Sequence, residues 1–147
     1  MNIVRWNNIP LPEEHLTALV VGLVLHKALP LRVPAPTLLR RVIGPLIASL
    51  GVLVAAWAVV AARDVDVTSP TTVVTRGPYA RSRNPMYLGW TMVYLGIALV
   101  VGSRWLLILL PPVLAYTHAT VLREERSLET RFGRDYRQYR ERVRRYL

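Results

Sequence analysis

One uncharged run of 21 residues decides the fold class: residues 42–62 read VIGPLIASLGVLVAAWAVVAA. An α-helix rises about 1.5 Å per residue, so a helix of this length spans roughly 31 Å, close to the thickness of a bilayer's hydrocarbon core. The run offers no polar face to water, because apolar side chains would surround the helix on every side. The sequence therefore predicts that residues 42–62 form a transmembrane helix.

Three further apolar segments lie around this run. Residues 86–102 and 105–122 carry no charged side chain, whereas the shorter segment 16–29 contains His26 and Lys27. Of the 147 residues, 52% are hydrophobic, yet the formal net charge is +10, because apolar and charged residues are separated into blocks. A soluble bundle of this size could not bury four helices that are apolar all round. We therefore expect an all-α integral membrane protein with about four transmembrane helices.

The basic segment 123–147 is predicted to form an amphipathic C-terminal helix. Its apolar and aromatic residues recur every three or four positions and would form one stripe: Leu128, Phe132, Tyr136, Tyr139, Val143 and Tyr146. Nine arginines fill most of the remaining surface. A basic helix that directly follows a membrane span is typical of a helix lying on an anionic leaflet. Membrane lipids are therefore the expected partners, and nucleic-acid binding is disfavoured.

The distribution of basic residues predicts the orientation in the membrane. With four spans and a cytoplasmic C-terminus, 14 of the 19 Lys and Arg residues fall on the inner side. Loop 63–85 and the basic tail then share the cytoplasmic face, and the expected location is the inner (plasma) membrane of a bacterium. The chain has no Cys, which excludes disulfides and Cys-ligated metals. No His/carboxylate cluster has metal-binding spacing, so no metal is predicted.

The loop between the second and third spans is too polar to be a plain connector. Residues 75–89 read TRGPYARSRNPMYLG, with turn signals at Gly-Pro 77–78 and Asn-Pro 84–85. One helical hairpin later, the adjacent carboxylates Glu124 and Glu125 lie at the same depth. Two interpretations are open. The carboxylates form a structural ion pair with loop arginines, or they belong to a pocket for a zwitterionic or cationic ligand with aromatic walls.

Four short motifs stand between residue 71 and the C-terminus: Gly77-Pro78-Tyr79, Arg83-Asn84-Pro85-Met86-Tyr87-Leu88-Gly89, Glu124-Glu125-Arg126-Ser127-Leu128 and Phe132-Gly133-Arg134-Asp135-Tyr136-Arg137-Gln138-Tyr139. Together they resemble the membrane methyltransferases of the isoprenylcysteine carboxyl methyltransferase type. The phospholipid N-methyltransferases share parts of the pattern. In that family S-adenosylmethionine binds near the cytoplasmic face without a Rossmann domain. This chain likewise has no G-x-G-x-x-G motif and no room for a soluble nucleotide-binding fold.

The resemblance also implies a set of site residues. Glu124 would accept hydrogen bonds from the ribose hydroxyls or the ammonium group of the cofactor. Glu124 is also a catalytic candidate, together with His118 and Thr120. His15 and His26 are interpreted as ordinary residues remote from the site. Carried over by motif, the cofactor contacts fall on Thr71, Thr72, Val73, Val74, Tyr79, Asn84, Pro85, Met86, Tyr87 and Glu124.

Two positions depart from the family pattern. Asn84 stands where the family usually has His, and Asn can hydrogen-bond but cannot titrate. Thr120 stands where the carboxyl methyltransferases place the Arg that meets the acceptor carboxylate. This Arg, which we call the carboxylate clamp, is therefore missing, unless Arg104, Arg123 or His118 replaces it. This substitution predicts an acceptor other than a prenylcysteine carboxylate.

These observations predict a single membrane methyltransferase domain over residues 1–147, with spans near 16–29, 42–62, 86–102 and 105–122. Loop 63–85 would hold the cofactor, and residues 123–147 would form the C-terminal helix. The expected function is methyl transfer from S-adenosylmethionine to a lipophilic acceptor, by in-line displacement in which the enzyme mainly positions the two reactants. The alternative is a non-enzymatic membrane module whose basic helix binds anionic lipid or a partner. The sequence leaves the acceptor and the oligomeric state open.

Overall fold

A computed structural model describes residues 12–65 and 70–147, and over these ranges the chain is helical without β-strands. The predicted all-α class is therefore confirmed. The four residues 66–69 of loop 63–85 and the N-terminal residues 1–11 lie outside the described part. The helices are α1 (Glu13–Ala28), α2 (Gly44–Ala62, preceded by a π-helical turn Leu39–Ile43), α3 (Pro85–Val101), α4 (Arg104–Phe132) and α5 (Arg134–Arg142), with a short 3₁₀ helix at Gly77–Ala80.

Two of these helices are long and apolar enough to cross a membrane. They are the continuous helical segment Leu39–Ala62, of 24 residues, and α4, of 29 residues. The predicted count of four spans is not confirmed, because α3 has 17 residues and α1 has 16. At about 1.5 Å per residue such helices reach only roughly 24–26 Å, less than a typical hydrocarbon core. Large apolar side chains of α2, including Leu53 and Trp57, point outward, as expected for a helix facing lipid.

The prediction of a separate helix over residues 123–147 is wrong in its boundaries. Residues 123–132 continue α4 without interruption, because no Gly or Pro stops the helix before Gly133. Gly133 has φ +51°, a left-handed value that glycine adopts at little cost. The chain breaks there, begins α5 at once, and leaves helical geometry again at Val143. The apolar stripe is therefore divided, although Tyr136 and Tyr139 both point inward and are 1% and 4% exposed.

Helices α2 and α3 pack closely along a line of small residues. A Cβ atom added to Gly51 would lie 2.6 Å from the carbonyl oxygen of Gly89. Two turns along α3, a Cβ atom on Gly96 would lie 2.6 Å from the backbone nitrogen of Ala48. Small residues allow two helix backbones to approach this closely, which is a common device of helix packing in membranes. This interface fixes the position of the α3 N-terminus, where the polar loop enters.

The opposite end of the bundle is closed by short connections. Gly102, with φ +65°, ends α3, and the Ser103 hydroxyl accepts a hydrogen bond from the Leu106 amide at the start of α4. This is the tight hairpin that Gly-Ser-Arg at 102–104 predicts. The Trp105 indole N–H donates to the Leu29 carbonyl at 2.8 Å. With this end closed, the starts of α1 and α3 and the ends of α2 and α4 meet at the other end.

Candidate functional site

A cavity of about 440 Å³ lies where the starts of α1 and α3 meet the ends of α2 and α4. Loop residues 70–79 and two tyrosines of α5 complete its wall. Ligand pockets commonly measure a few hundred to a thousand Å³ and combine apolar walls with a few polar groups. This cavity has that composition, since Met86, Val73 and Val74 line it together with Glu124 and Tyr87.

Glu125 joins three separate parts of the chain beneath the cavity. Its carboxylate, 9% exposed, accepts hydrogen bonds from Arg83 Nε at 3.1 Å and from Arg145 Nη2 at 3.0 Å. Asn84 Nδ2 donates to the same carboxylate at 3.3 Å. Two guanidinium groups and one amide thus satisfy a carboxylate that would otherwise be costly to bury. The structural ion pair considered from the sequence is found here, at Glu125.

Backbone carbonyls of the C-terminal tail hold the loop in place. Arg83 Nη1 donates to the carbonyl oxygens of Arg140 at 3.0 Å and Val143 at 2.9 Å. Asn84 Nδ2 donates to the Arg145 carbonyl at 3.1 Å. The residue that replaces the family His therefore works as a hydrogen-bond donor between the loop, α4 and the tail. This explains structurally how Asn84 is accommodated, because the bonds require an N–H donor and no titrating group.

Glu124 points to a different environment from its neighbour. The Tyr87 hydroxyl donates to Glu124 Oε1 at 2.9 Å, and both residues line the cavity. Burial raises the pKa of Tyr79 to about 12, and the negative charge of Glu124 adds to this rise. The Tyr79 phenol therefore stays protonated at neutral pH. The site offers a carboxylate acceptor beside aromatic groups, an arrangement suited to hydroxyl or ammonium groups of a ligand.

The structure brings most of the predicted cofactor residues together. Thr71 is exposed and is absent from the cavity lining, although its neighbours contribute to it. Residues 70–76 are non-helical, as predicted for the extended segment 71–74. The roles of these residues stay predictions, but their common location is a structural fact. The nine that line the cavity are Thr72, Val73, Val74, Tyr79, Asn84, Pro85, Met86, Tyr87 and Glu124.

The other two catalytic candidates lie away from the cavity lining. His118 is exposed, and its Nδ1 lies 2.9 Å from the Tyr146 hydroxyl. The Thr120 hydroxyl accepts a long hydrogen bond of 3.4 Å from Arg123, whose guanidinium also bonds its own helix at Ala119. Arg104 begins α4 and is 20 residues, or about 30 Å, from Glu124. Neither Arg104 nor Arg123 therefore supplies a cation to the cavity.

Several lining residues were not predicted as site residues. Arg131 and Trp90 belong to the lining, and so does Tyr136, which the sequence placed only in the tail stripe. The Tyr136 hydroxyl has no hydrogen-bond partner among residues 12–65 and 70–147. Burial raises the pKa of Tyr136 to about 12, with the charge of Glu125 as the second cause, so this hydroxyl keeps its proton. It is therefore a buried hydroxyl without a partner in a residue of the cavity wall.

His15 is absent from the cavity lining, but it is a buried residue beside it. His15 is 1% exposed and lies 3.1 Å from the Thr91 hydroxyl of α3, next to the lining residue Glu14. The sequence signal was present, since a Glu-His pair stands at the entrance to an apolar helix. Only the packing of α1 against α3 and α4 shows that Glu14 reaches the cavity and that His15 lies behind it.

Comparison with known proteins agrees with the motifs. The model of the phospholipid methyltransferase family matches residues 39–135, more than half of the chain. The match begins at the helical turn before α2 and includes the polar loop, Glu124 and Glu125. No curated protein and no solved structure matches the chain. The chain therefore belongs to the phospholipid methyltransferase family.

Proposed function

We propose that the whole chain forms one methyltransferase domain that transfers a methyl group from S-adenosylmethionine to a lipophilic acceptor at the cytoplasmic face of the membrane. Family membership supports methyl transfer to lipids. The observation that carries the proposal is the cavity itself, in which nine residues matched by motif to cofactor contacts line one space. At its polar end, the Glu124 carboxylate can accept hydrogen bonds, and the Tyr136 hydroxyl is a donor without a partner among the described residues.

The residues present fit the cofactor. Glu124 would accept hydrogen bonds from its ribose hydroxyls or its ammonium group, while Tyr87 holds that carboxylate in place. The unpartnered Tyr136 hydroxyl is a donor for a further polar group. Residues 72–74 are non-helical and form part of the cavity wall. When bound, S-adenosylmethionine supplies an electrophilic methyl group on sulfur, so the protein's main task is to orient the two reactants and to exclude water.

The acceptor side favours a methyl-accepting group without a negative charge. Among cavity-lining residues, Arg83 is already paired with Glu125, and Glu14 and Glu124 add negative charge. Arg131 is the cation that remains at the rim. A carboxylate acceptor would need a fixed guanidinium partner, and the family position for it carries Thr120. We therefore propose a lipid whose methyl-accepting group is an amine, a hydroxyl or another group without negative charge, and which enters laterally from the bilayer.

The test is transfer of a labelled methyl group by the purified protein in nanodiscs. Phosphatidylethanolamine, a phenolic lipid and a farnesylcysteine analogue are the acceptors. Turnover of the first or second lipid is expected. Turnover of farnesylcysteine that is lost in Arg131→Ala would show that the carboxylate clamp has moved to Arg131, which contradicts the proposed acceptor class.

Glu124→Gln tests the cofactor assignment separately. Loss of a hydrogen bond to a charged group costs about 1.5–3 kcal/mol, so the affinity for S-adenosylhomocysteine should fall by roughly 10- to 150-fold. Glu141→Gln, on the exposed face of α5, is the matched control. Equal affinities in calorimetry for wild type and Glu124→Gln would remove Glu124 from the cofactor site. A wild type that binds vesicles but no S-adenosylhomocysteine would support the non-enzymatic alternative.

A further inference from the structure

A buried polar cluster stands beside the cavity at the first turn of α1. The His15 side chain is 1% exposed, and its Nε2 lies 3.1 Å from the Thr91 hydroxyl. Its Nδ1 lies 3.5 Å from Oε1 of Glu14, and the same oxygen accepts a 3.1 Å hydrogen bond from the Thr117 hydroxyl. Helices α1, α3 and α4 each contribute to this cluster within an otherwise apolar interface.

Glu14 connects the cluster to the cavity. It lines the cavity together with Glu124 and Tyr87, and its side chain is 16% exposed. The cavity lining therefore includes three carboxylates, Glu14 from α1 and Glu124 and Glu125 from α4. Glu124 belongs to a motif matched to the cofactor, whereas Glu14 belongs to none of the four motifs and lies outside the family match at residues 39–135.

The composition of the cluster indicates more than a role in holding the helices together. His15 Nδ1 has no hydrogen-bond partner within the part of the chain that the structure describes. An unsatisfied buried nitrogen is costly, and polar groups that serve only to join helices are normally satisfied. If the Thr91 hydroxyl donates to Nε2, the neutral imidazole carries its proton on Nδ1, toward Glu14; this tautomer is assigned from the partners. In this tautomer the Nδ1–H is on the side of Glu14 Oε1, 3.5 Å away.

We propose that Glu14 accepts the proton that the methyl acceptor loses, and that His15 is the positioning residue for Glu14. The inference rests on the proposed function and adds a reaction role to it. When an amine N–H or a hydroxyl O–H is methylated, its lone pair forms the bond to the methyl carbon and the S–C bonding pair returns to sulfur. The proton then passes from the acceptor nitrogen or oxygen to a carboxylate oxygen of Glu14, which leaves a neutral thioether and a methylated product.

Glu14→Gln is the direct test, because Gln keeps the shape and an oxygen for Thr117 but cannot take up the proton. General acid–base groups contribute about 10²–10⁴-fold, so kcat should fall at least about 100-fold with the acceptor lipid found above. The affinity for S-adenosylhomocysteine should stay within twofold. Glu13→Gln, the exposed neighbour on α1, should match the wild type. Equal kcat in Glu14→Gln and wild type would overturn the inference, and so would a Glu14→Gln variant that loses cofactor affinity.

His15→Asn distinguishes a role of His15 in positioning Glu14 from a purely structural role. Thr117 of α4 donates to Glu14, and the titratable groups around Glu14 are His15 on its own helix, Glu124 on α4 and Tyr87 on α3. Replacing His15 should therefore move the acid limb of the pH–kcat profile. KM for the cofactor should not change. A variant with reduced thermal stability and an unmoved profile would show that His15 is only structural.

The same assay separates the inference from the function on which it rests. A wild type that neither binds S-adenosylhomocysteine nor transfers methyl groups would overturn the proposed function, and the inference with it. An active wild type with an equally active Glu14→Gln variant would overturn the inference alone. An active wild type, an unchanged Glu13→Gln variant and a slow Glu14→Gln variant that still binds the cofactor would support both.

Discussion

Different interactions hold the two halves of α3 in place. Along its length, α3 packs against α2 through glycines that bring backbones into contact, with no ionisable side chain at that contact. At its start, α3 is fixed by Arg83 and Asn84, which bond a carboxylate 41–42 residues away and carbonyls 57–61 residues away. Close packing against α2 dominates in the first region, and charge and hydrogen bonding dominate in the second. The second arrangement leaves open space, which a ligand site needs.

Removal of the Glu125 carboxylate should cause the largest loss of stability among the variants that test this comparison. Glu125→Ala leaves Arg83 and Arg145 without their anion, and breaking a buried pair costs about 3–5 kcal/mol in unfolding free energy. The lower end of this range is expected, because the Arg145 side chain is 35% exposed. Equilibrium unfolding in mixed micelles would measure the loss.

Glu129→Ala is the matched control for that variant. Glu129 lies one turn further along α4, and its ion pair with Arg140 at 2.7 Å is partly exposed. Exposed pairs contribute up to about 1 kcal/mol. If the two variants lost equal stability, the polar end would not depend on the buried carboxylate, and the contrast between the two halves of α3 would fail.

Gly51→Leu tests the other region of the comparison, the close packing of α2 against α3. Its side chain would meet the Gly89 carbonyl and the Val93 nitrogen, which belong to a backbone that cannot rotate away. Overpacking of this kind costs about 1–3 kcal/mol. Ser49→Leu, on the exposed side of α2, is the control and should be tolerated. A Gly51→Leu variant as stable as the wild type would show that the close approach of α2 and α3 is not required.

A smaller effect is expected from the loss of one hydrogen bond between α5 and the loop. The Tyr139 hydroxyl donates to the Tyr79 carbonyl at 2.7 Å. Tyr139→Phe removes this bond alone, at a cost of about 0.5–1.5 kcal/mol in unfolding free energy. Tyr116→Phe, at an outward-facing position on α4, serves as the control. A Tyr139→Phe variant indistinguishable from that control in thermal unfolding would mean that α5 is held without this bond.

The same contrast explains what could be predicted from the sequence. Uncharged runs predicted α2 and α3 well, because helices in lipid depend on a local property of the chain. The end of α4 was missed, because only the left-handed backbone of Gly133 decides where the continuous helix stops. The sequence gives two neighbouring carboxylates at 124–125, and their side chains differ by about 100° around the helix.

Which carboxylate faces which partner depends on tertiary contacts. Glu125 meets the tail through Arg145, and the loop meets the tail through backbone carbonyls of residues 140–145, which carry no side-chain signature. Glu14 reaches the cavity only because α1 packs against α4. Motifs therefore predicted the residues that line the cavity from the loop side, and they could not predict the contribution of α1.

Hydrogen–deuterium exchange with and without S-adenosylhomocysteine tests most directly whether the cavity is the cofactor site. We predict slower exchange at residues 70–90 and 124–131, which line the cavity, when the ligand is at saturating concentration. The α2–α3 contact around Gly44 and Gly96, and the hairpin at Gly102 and Ser103, should not change. Saturating ligand that leaves residues 70–90 unprotected, or that protects the hairpin end instead, would contradict the assignment of this cavity.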